Sequence, residues 1–143
     1  MTGRVDVGAT AESVALSGDR ALLAVAARDA GRVALIDAVD LTLRWTTRLP
    51  DGPVRVAFAG DQVLASLALS GSLAFLDSKT GRLTGVIPIG ALPDGIAVDS
   101  DRSLAYVAAV GDDMVAVVDT ERRRVVGQRP AGDGPSGVLL VNR

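Results

Sequence analysis

Fifteen aspartates, Glu12, Glu121, Lys79 and Tyr106 are all this chain offers for proton transfer, because it contains neither histidine nor cysteine. Zinc sites of the common His/Cys kind, Ser-His-Asp and Cys-His nucleophiles and histidine general bases are thereby excluded within the chain. A pair of carboxylates remains able to act as acid and base, provided that the fold brings two together. Four acidic residues stand out. Glu12, Asp51, Asp94 and Asp133 lie in stretches rich in Gly and Pro, "GATAESVAL", "PDGPVRVAF", "GALPDGIAV" and "GDGPSGVLL". Converging, they would hold a cation or a cationic ligand; singly, Asp in such a stretch forms a turn by bonding its own backbone. "DSDRS" (99–103) and "GDDM" (111–114) lack the full spacing of a calcium loop, and "DSKTGR" (77–82) lacks the Gly frame of a phosphate loop, so all three read as turns. No metal or cofactor is expected.

The elements that must position these residues follow from a repeat. The four stretches begin at Gly8, Pro50, Gly90 and Gly132, at intervals of 42, 40 and 42 residues. A second landmark keeps step: "GRVALID", "GSLAFLD" and "DMVAVVD" end at Asp37, Asp77 and Asp119. A third, "LLAVAAR", "VLASLAL" and "LAYVAAV", lies between them. An aspartate that every unit carries is better suited to bracing a turn than to catalysis. Each unit holds about four short apolar or alternating runs separated by Gly, Asp, Ser and Pro, which is a strand pattern, and no long window keeps a helical period. In the first unit the spacing predicts strand a at 14–16, b at 22–27, c at 33–36 and d at 43–47.

Four-stranded units of this length are the signature of β-propeller blades, and a blade cannot cover its own two faces. The expected fold is therefore all-β, with three four-stranded blades, a partial strand at each end and an incomplete ring in one chain. The repeats run over 8–49, 50–89 and 90–131, with the start of a fourth at 132–143, in one partial propeller domain covering 1–143. Residues 3–8, "GRVDVG", occupy the place of a strand d, and "PSGVLLV" that of a strand a. In a propeller the d-to-a turns carrying Glu12, Asp51, Asp94 and Asp133 approach one mouth of the central channel. Unclosed ends would leave a blade face and strand edges open to association, with Val138, Leu139, Leu140 and Val141 as candidate partner contacts. Trp45, in strand d between Arg44 and Arg48, is either a partner-binding aromatic or a filler between adjacent blades.

The third unit carries a family resemblance. "GALPDGIAVDSDRSLAYVAAVGDDMVAVVDTERRRVVGQRPAGDGPSGVLLV" resembles the YVTN-type repeats of lactonase-like and surface-layer β-propellers, through Gly90, Pro93, Gly95 to Val98, Tyr106, Val107 and Val117 to Thr120. Ala109 stands where the family has asparagine, and the first two units lack the tyrosine. The resemblance implies a propeller, and it implies a hydrolytic alternative in which the four acidic turn residues serve at the channel mouth.

Composition restricts the partners. At 143 residues, 48% apolar and 22% charged, the chain is globular and long enough to bury roughly 68% of its unfolded surface. With a net charge of −2 and one dense basic cluster, Arg122 to Arg124, it has no stripe to track phosphates, so nucleic acid is not an expected partner. No run is long enough to span a bilayer, so no membrane is expected, and no secretory signal opens the chain, which reads as cytoplasmic. The function expected is a non-catalytic binding or scaffold module, a homo-oligomer or one completed by another chain; the alternative is a fragment of a lactonase-like propeller hydrolase.

Overall fold

A computed structural model describes residues 3–141. Twelve strands form three separate four-stranded antiparallel sheets, each a simple meander. Sheet 1 holds β1 (Ala11–Leu16), β2 (Leu22–Ala27), β3 (Arg32–Asp37) and β4 (Leu43–Arg48). Sheet 2 holds β5 (Pro53–Ala59), β6 (Gln62–Leu67), β7 (Ser72–Asp77) and β8 (Leu83–Pro88). Sheet 3 holds β9 (Pro93–Asp99), β10 (Leu104–Ala109), β11 (Met114–Asp119) and β12 (Arg124–Pro130). The one helical element among the described residues is a 3-10 turn, Val110–Asp112.

Burial across each sheet follows residue type. The second and third strands lie between neighbouring sheets, and their runs "LLAVAA", "VALI" and "SLAFL" are apolar on both faces, as a strand covered twice requires. The fourth strands alternate exposed and half-buried residues because their outer side meets water. Each sheet is bulged at equivalent places, where the first strand pairs with the second (Ala11/Ser13, Pro53/Arg55, Val107/Ala109) and where the third pairs with the fourth. Bulges increase local twist, which lets short sheets fan around an axis. At the β5 bulge the free Arg55 N–H donates to Ser66 Oγ at 3.1 Å, and Ser66 is fully buried.

Two cores hold the sheets together. Between sheets 1 and 2, Ala24, Ala26, Val33 and Leu35 meet Val63, Ala65, Leu67 and Leu76. Between sheets 2 and 3, Leu64, Leu73 and Phe75 meet Ala105, Val107, Ala116 and Val118. Alanine recurs on these facing strands, and its small side chain lets the twisted sheets approach closely. Contacts between sheets concentrate on β1, β5 and β9, the inner strands. A third cluster lies on the outer face of sheet 1, where Val5 and Val7 cover Val25, Ala27, Ala34 and Ile36. Val7, Leu49 and Ile89 share one repeat position, just after a strand d, and all three are buried at 8%, 3% and 3% exposure. Residues 3–8 therefore sit where a preceding blade's strand d belongs. At the other end Gly95 N–H donates to Ser136 carbonyl at 2.9 Å, which places residues 136–138 over β9 as the next strand a. Neither flanking segment is part of a sheet.

Candidate functional site

The topology sorts the turns into two ends of the stack. Fourth-to-first and second-to-third turns share one end; first-to-second and third-to-fourth turns share the other. Glu12, Asp51, Asp94 and Asp133 all belong to the first end. Glu12, Asp51 and Asp133 are exposed there. Asp94, less exposed, forms an ion pair with Arg55, whose Nε lies 2.8 Å from Asp94 Oδ1, tying β5 to β9. Its direction does not make a hydrogen bond, so Oδ1 is buried with the guanidinium as its sole partner. Among the described residues no group of three or more acidic side chains is placed to hold a metal ion.

Arg55 is a residue that the repeat pattern alone does not single out as functional. It occupies the position of Ser13, Gly95 and Gly137 in the other units, and that departure from small residues is the one signal for it. Equivalent inner-strand links differ in chemistry: Ser13 Oγ accepts from Val56 N–H at 3.2 Å, and Ser136 carbonyl from Gly95 N–H. The "GDDM" turn has a similar linking task. Asp112 Oδ2 accepts from Ala91 N–H at 2.7 Å and Asp113 Oδ1 from Gly134 N–H at 2.8 Å, so one turn holds the chain entering β9 and the chain leaving β12.

The repeated aspartates act as turn braces. Asp37 Oδ1 accepts from the amides of Val39 and Asp40, Asp77 Oδ1 from Lys79 and Thr80, and Asp119 Oδ1 from Glu121 and Arg122, at 2.8–3.3 Å. Each carboxyl is held below its ordinary value. The leading cause is the Arg44 guanidinium for Asp37, the Thr80 amide for Asp77 and the Arg122 amide for Asp119. Hydrogen bonds donated to a carboxylate favour its charged form.

Trp45 packs, half-buried, against the core between sheets 1 and 2, and its Nε1–H donates to Ser78 carbonyl at 2.9 Å. Its ring lies over Gly81, where an added Cβ would come within 2.6 Å of Trp45 Cδ2. It therefore fills the gap between blades. Val138 is half-buried, while Leu139, Leu140 and Val141 are 85%, 38% and 70% exposed.

A cavity of about 1040 Å³ opens at the other end of the stack, and none of the four acidic candidates lines it. Its apolar wall comes from the inner strands, with Leu16, Val56, Phe58 and Val98; Asp19, Asp61 and Lys79 supply charge. Asp19 is held by Ser17 Oγ–H at 2.6 Å and Ala21 N–H at 3.0 Å, and the Ser17 hydroxyl, then the Ala21 amide, push its carboxyl below the usual range. Asp61 and Lys79 lie on adjoining turns of sheet 2, where Ser78 N–H donates to the Asp61 carbonyl at 2.9 Å, and these turns meet the Asp19 turn of sheet 1 only once the sheets pack.

No protein-family model matches the chain, and no curated protein is similar to it at a significant level. Solved structures are. A hydrazine synthase chain of Kuenenia stuttgartiensis superimposes with a TM-score of 0.84 at 23% identity, over 94% of this chain and 42% of that one. A 6-phosphogluconolactonase described as putative, from Bacteroides fragilis, gives 0.80 at 17% identity over 98% and 44%. The computationally designed Ika4 protein gives 0.81 at 12% identity over 99% and 89%. The chain thus spans about two-fifths of the first two and most of the third. At such identities the likeness is one of fold. The chain is an all-β stack of three β-propeller blades whose ring is not closed.

Proposed function

We propose that this chain is a non-catalytic binding or scaffold module of propeller blades, one partial domain over 1–143, completed by self-association or by another chain. The observation that carries this reading is the state of the outer face of sheet 1. Val14 and Leu16 on sheet 1 are 61% and 48% exposed, although the equivalent Val56 on sheet 2 is 7% exposed under a neighbouring blade. The polar residues point the same way, because Asp94, Asp112, Asp113 and the three repeated aspartates are engaged in holding blades and turns. Among the described residues no helix is long and apolar enough to cross a membrane. We read the repeat as YVTN-type, the location as cytoplasmic, and the partner contacts as Val138 to Val141 with the exposed part of Trp45. Sedimentation velocity across a hundredfold concentration range tests the proposal: assembly beyond one chain, or a stable complex with a partner chain, is expected. A well-folded monomer at every concentration, binding nothing and turning over a substrate, would sink it.

The alternative is a fragment of a lactonase-like hydrolase using Glu12, Asp51, Asp94 and Asp133. Fold likeness to the Bacteroides protein favours it, and one fold hosts many functions. Lactone hydrolysis lost on exchange of these four for alanine would establish it; unchanged turnover would remove it.

A further inference from the structure

The second unit departs from its neighbours at three places that bear on one cavity. Phe58 stands where the other units have Leu16 and Val98, Lys79 where they have Val39 and Glu121, and Ala59 where the first unit has Ser17. The last change removes a hydroxyl. In sheet 1, Ser17 Oγ donates to Asp19 Oδ1 at 2.6 Å and holds that carboxylate against its own turn. Asp61 occupies the repeat position of Asp19 without such a hydroxyl beside it, and its side chain is exposed and joins no ion pair among the described residues. Lys79, the only lysine of the chain, is likewise exposed and joins none. The turns that carry the two adjoin, because Ser78 N–H donates to the Asp61 carbonyl at 2.9 Å.

Asp61 and Lys79 line the cavity of about 1040 Å³ together with Asp19. Its apolar wall draws on all three sheets, through Leu22 and Leu35, Val56 and Phe58, and Ile96 and Val98. The other cation that lines it, Arg44, is paired with Asp37. Pockets of this size take small molecules, with apolar surface for the body of the ligand and a few polar groups to orient it. The charges select the kind of molecule. A simple cation would meet Lys79, a simple anion would meet two carboxylates, and a neutral molecule would leave every charge unanswered. A ligand with both charges answers both. Since the opposite charges of the protein come from adjoining turns, those of the ligand must lie close together, as an ammonium and a carboxylate do on one carbon atom.

We propose that this cavity binds a free α-amino acid with a large apolar side chain. The ammonium group meets the Asp61 carboxylate, with Asp19 on the neighbouring sheet adding negative charge. The carboxylate meets the Lys79 ammonium, and the side chain lies over Phe58 on the apolar wall. Charge-assisted hydrogen bonds of this kind are stronger than neutral ones, so the site discriminates against analogues that lack either charge. Every residue it uses belongs to the three sheets, so the site does not rest on what completes the ring.

The test titrates the isotope-labelled full chain with L-phenylalanine and follows its amide resonances. Binding is saturable, and the shifts fall in 17–19, 60–61 and 78–79 while 132–141 stays in place. Phenethylamine and hydrocinnamate, which each lack one charge, and L-alanine, which lacks the apolar body, bind at least about tenfold more weakly. Lys79→Gln removes the preference for phenylalanine over phenethylamine, and Asp61→Asn removes the preference over hydrocinnamate. Both side chains are exposed, so both variants keep the urea midpoint of the parent. The proposal is overturned by no saturable binding up to about 10 mM, by shifts centred elsewhere, by either one-charge analogue binding as tightly as phenylalanine, or by variants that bind as the parent does. Sedimentation has no bearing on these outcomes, so the site and the module reading fail separately.

Discussion

Replacing Gly81 by alanine strikes the contact between sheets 1 and 2 at one atom. Gly81 has φ of +75°, a conformation that costs an L-residue about 1–2 kcal/mol. The added Cβ would stand 2.6 Å from Trp45 Cδ2, 2.8 Å from Cε3 and 2.9 Å from Thr47 Oγ1. The ring has little freedom to withdraw, because Nε1 is bonded to Ser78 and the indole packs on the core. Overpacking of this kind costs about 1–3 kcal/mol. The sum is a loss of about 2–5 kcal/mol, which at a urea m-value of about 2 kcal/mol/M lowers the unfolding midpoint by about 1–2.5 M. Trp45 is the only tryptophan, so its fluorescence reports this interface directly during the titration. In a Trp45→Ala background the two contacts with the ring disappear and only that with Thr47 Oγ1 remains, so Gly81→Ala should cost less, about 1–3 kcal/mol. A midpoint in Gly81→Ala within about 0.2 M of the parent, or an equal cost in both backgrounds, would refute the reasoning.

Other perturbations test separate parts of the account. Arg55→Ala leaves Asp94 Oδ1 buried without its partner and should cost about 1–2 kcal/mol; Arg55→Ala with Asp94→Ala should recover part of that, and a purely additive double-mutant cycle by urea unfolding would deny the pair. Arg20 is exposed with φ of +62°, so Arg20→Gly should raise stability by about 0.5–1 kcal/mol, read as a higher urea midpoint. Asp37, Asp77 and Asp119 have carboxyls depressed by folding, against about 3.9 unfolded. Their contribution is therefore present above about pH 4 and lost as pH falls through the folded values. Thermal midpoints measured down the pH scale should drop in that acid window, and the drop should shrink in Asp77→Asn; an unchanged acid limb would deny the brace.

The blades were legible because their signals are local and repeated. Strand b of the first unit coincides with the predicted 22–27, strand c extends one residue beyond prediction at each end, and strand d one residue at its C-terminal end. Strand a begins at Ala11 rather than Val14, because the bulge between Ala11 and Ser13 lets pairing continue where the apolar alternation has stopped. The bracing aspartates were legible for the same reason, since an Asx turn is completed within three residues. Tandem recurrence made the places of residues 3–8 and 132–141 readable, although neither forms a sheet.

What the residues alone determined was thus the period, the four-strand unit, the turn chemistry and the exclusion of histidine and cysteine catalysis, all of which depend on spacing within about forty residues. The tertiary structure decided which side chains meet across blades. Arg55 and Asp94 are joined, Trp45 closes over Gly81, and Asp19 and Asp61 line one cavity, while Glu12, Asp51 and Asp133 face solvent. Those outcomes depend on the twist that the bulges give each sheet and on the fit of one face against the next. A repeat specifies its own unit by local rules; the contacts between units follow from geometry summed over whole sheets.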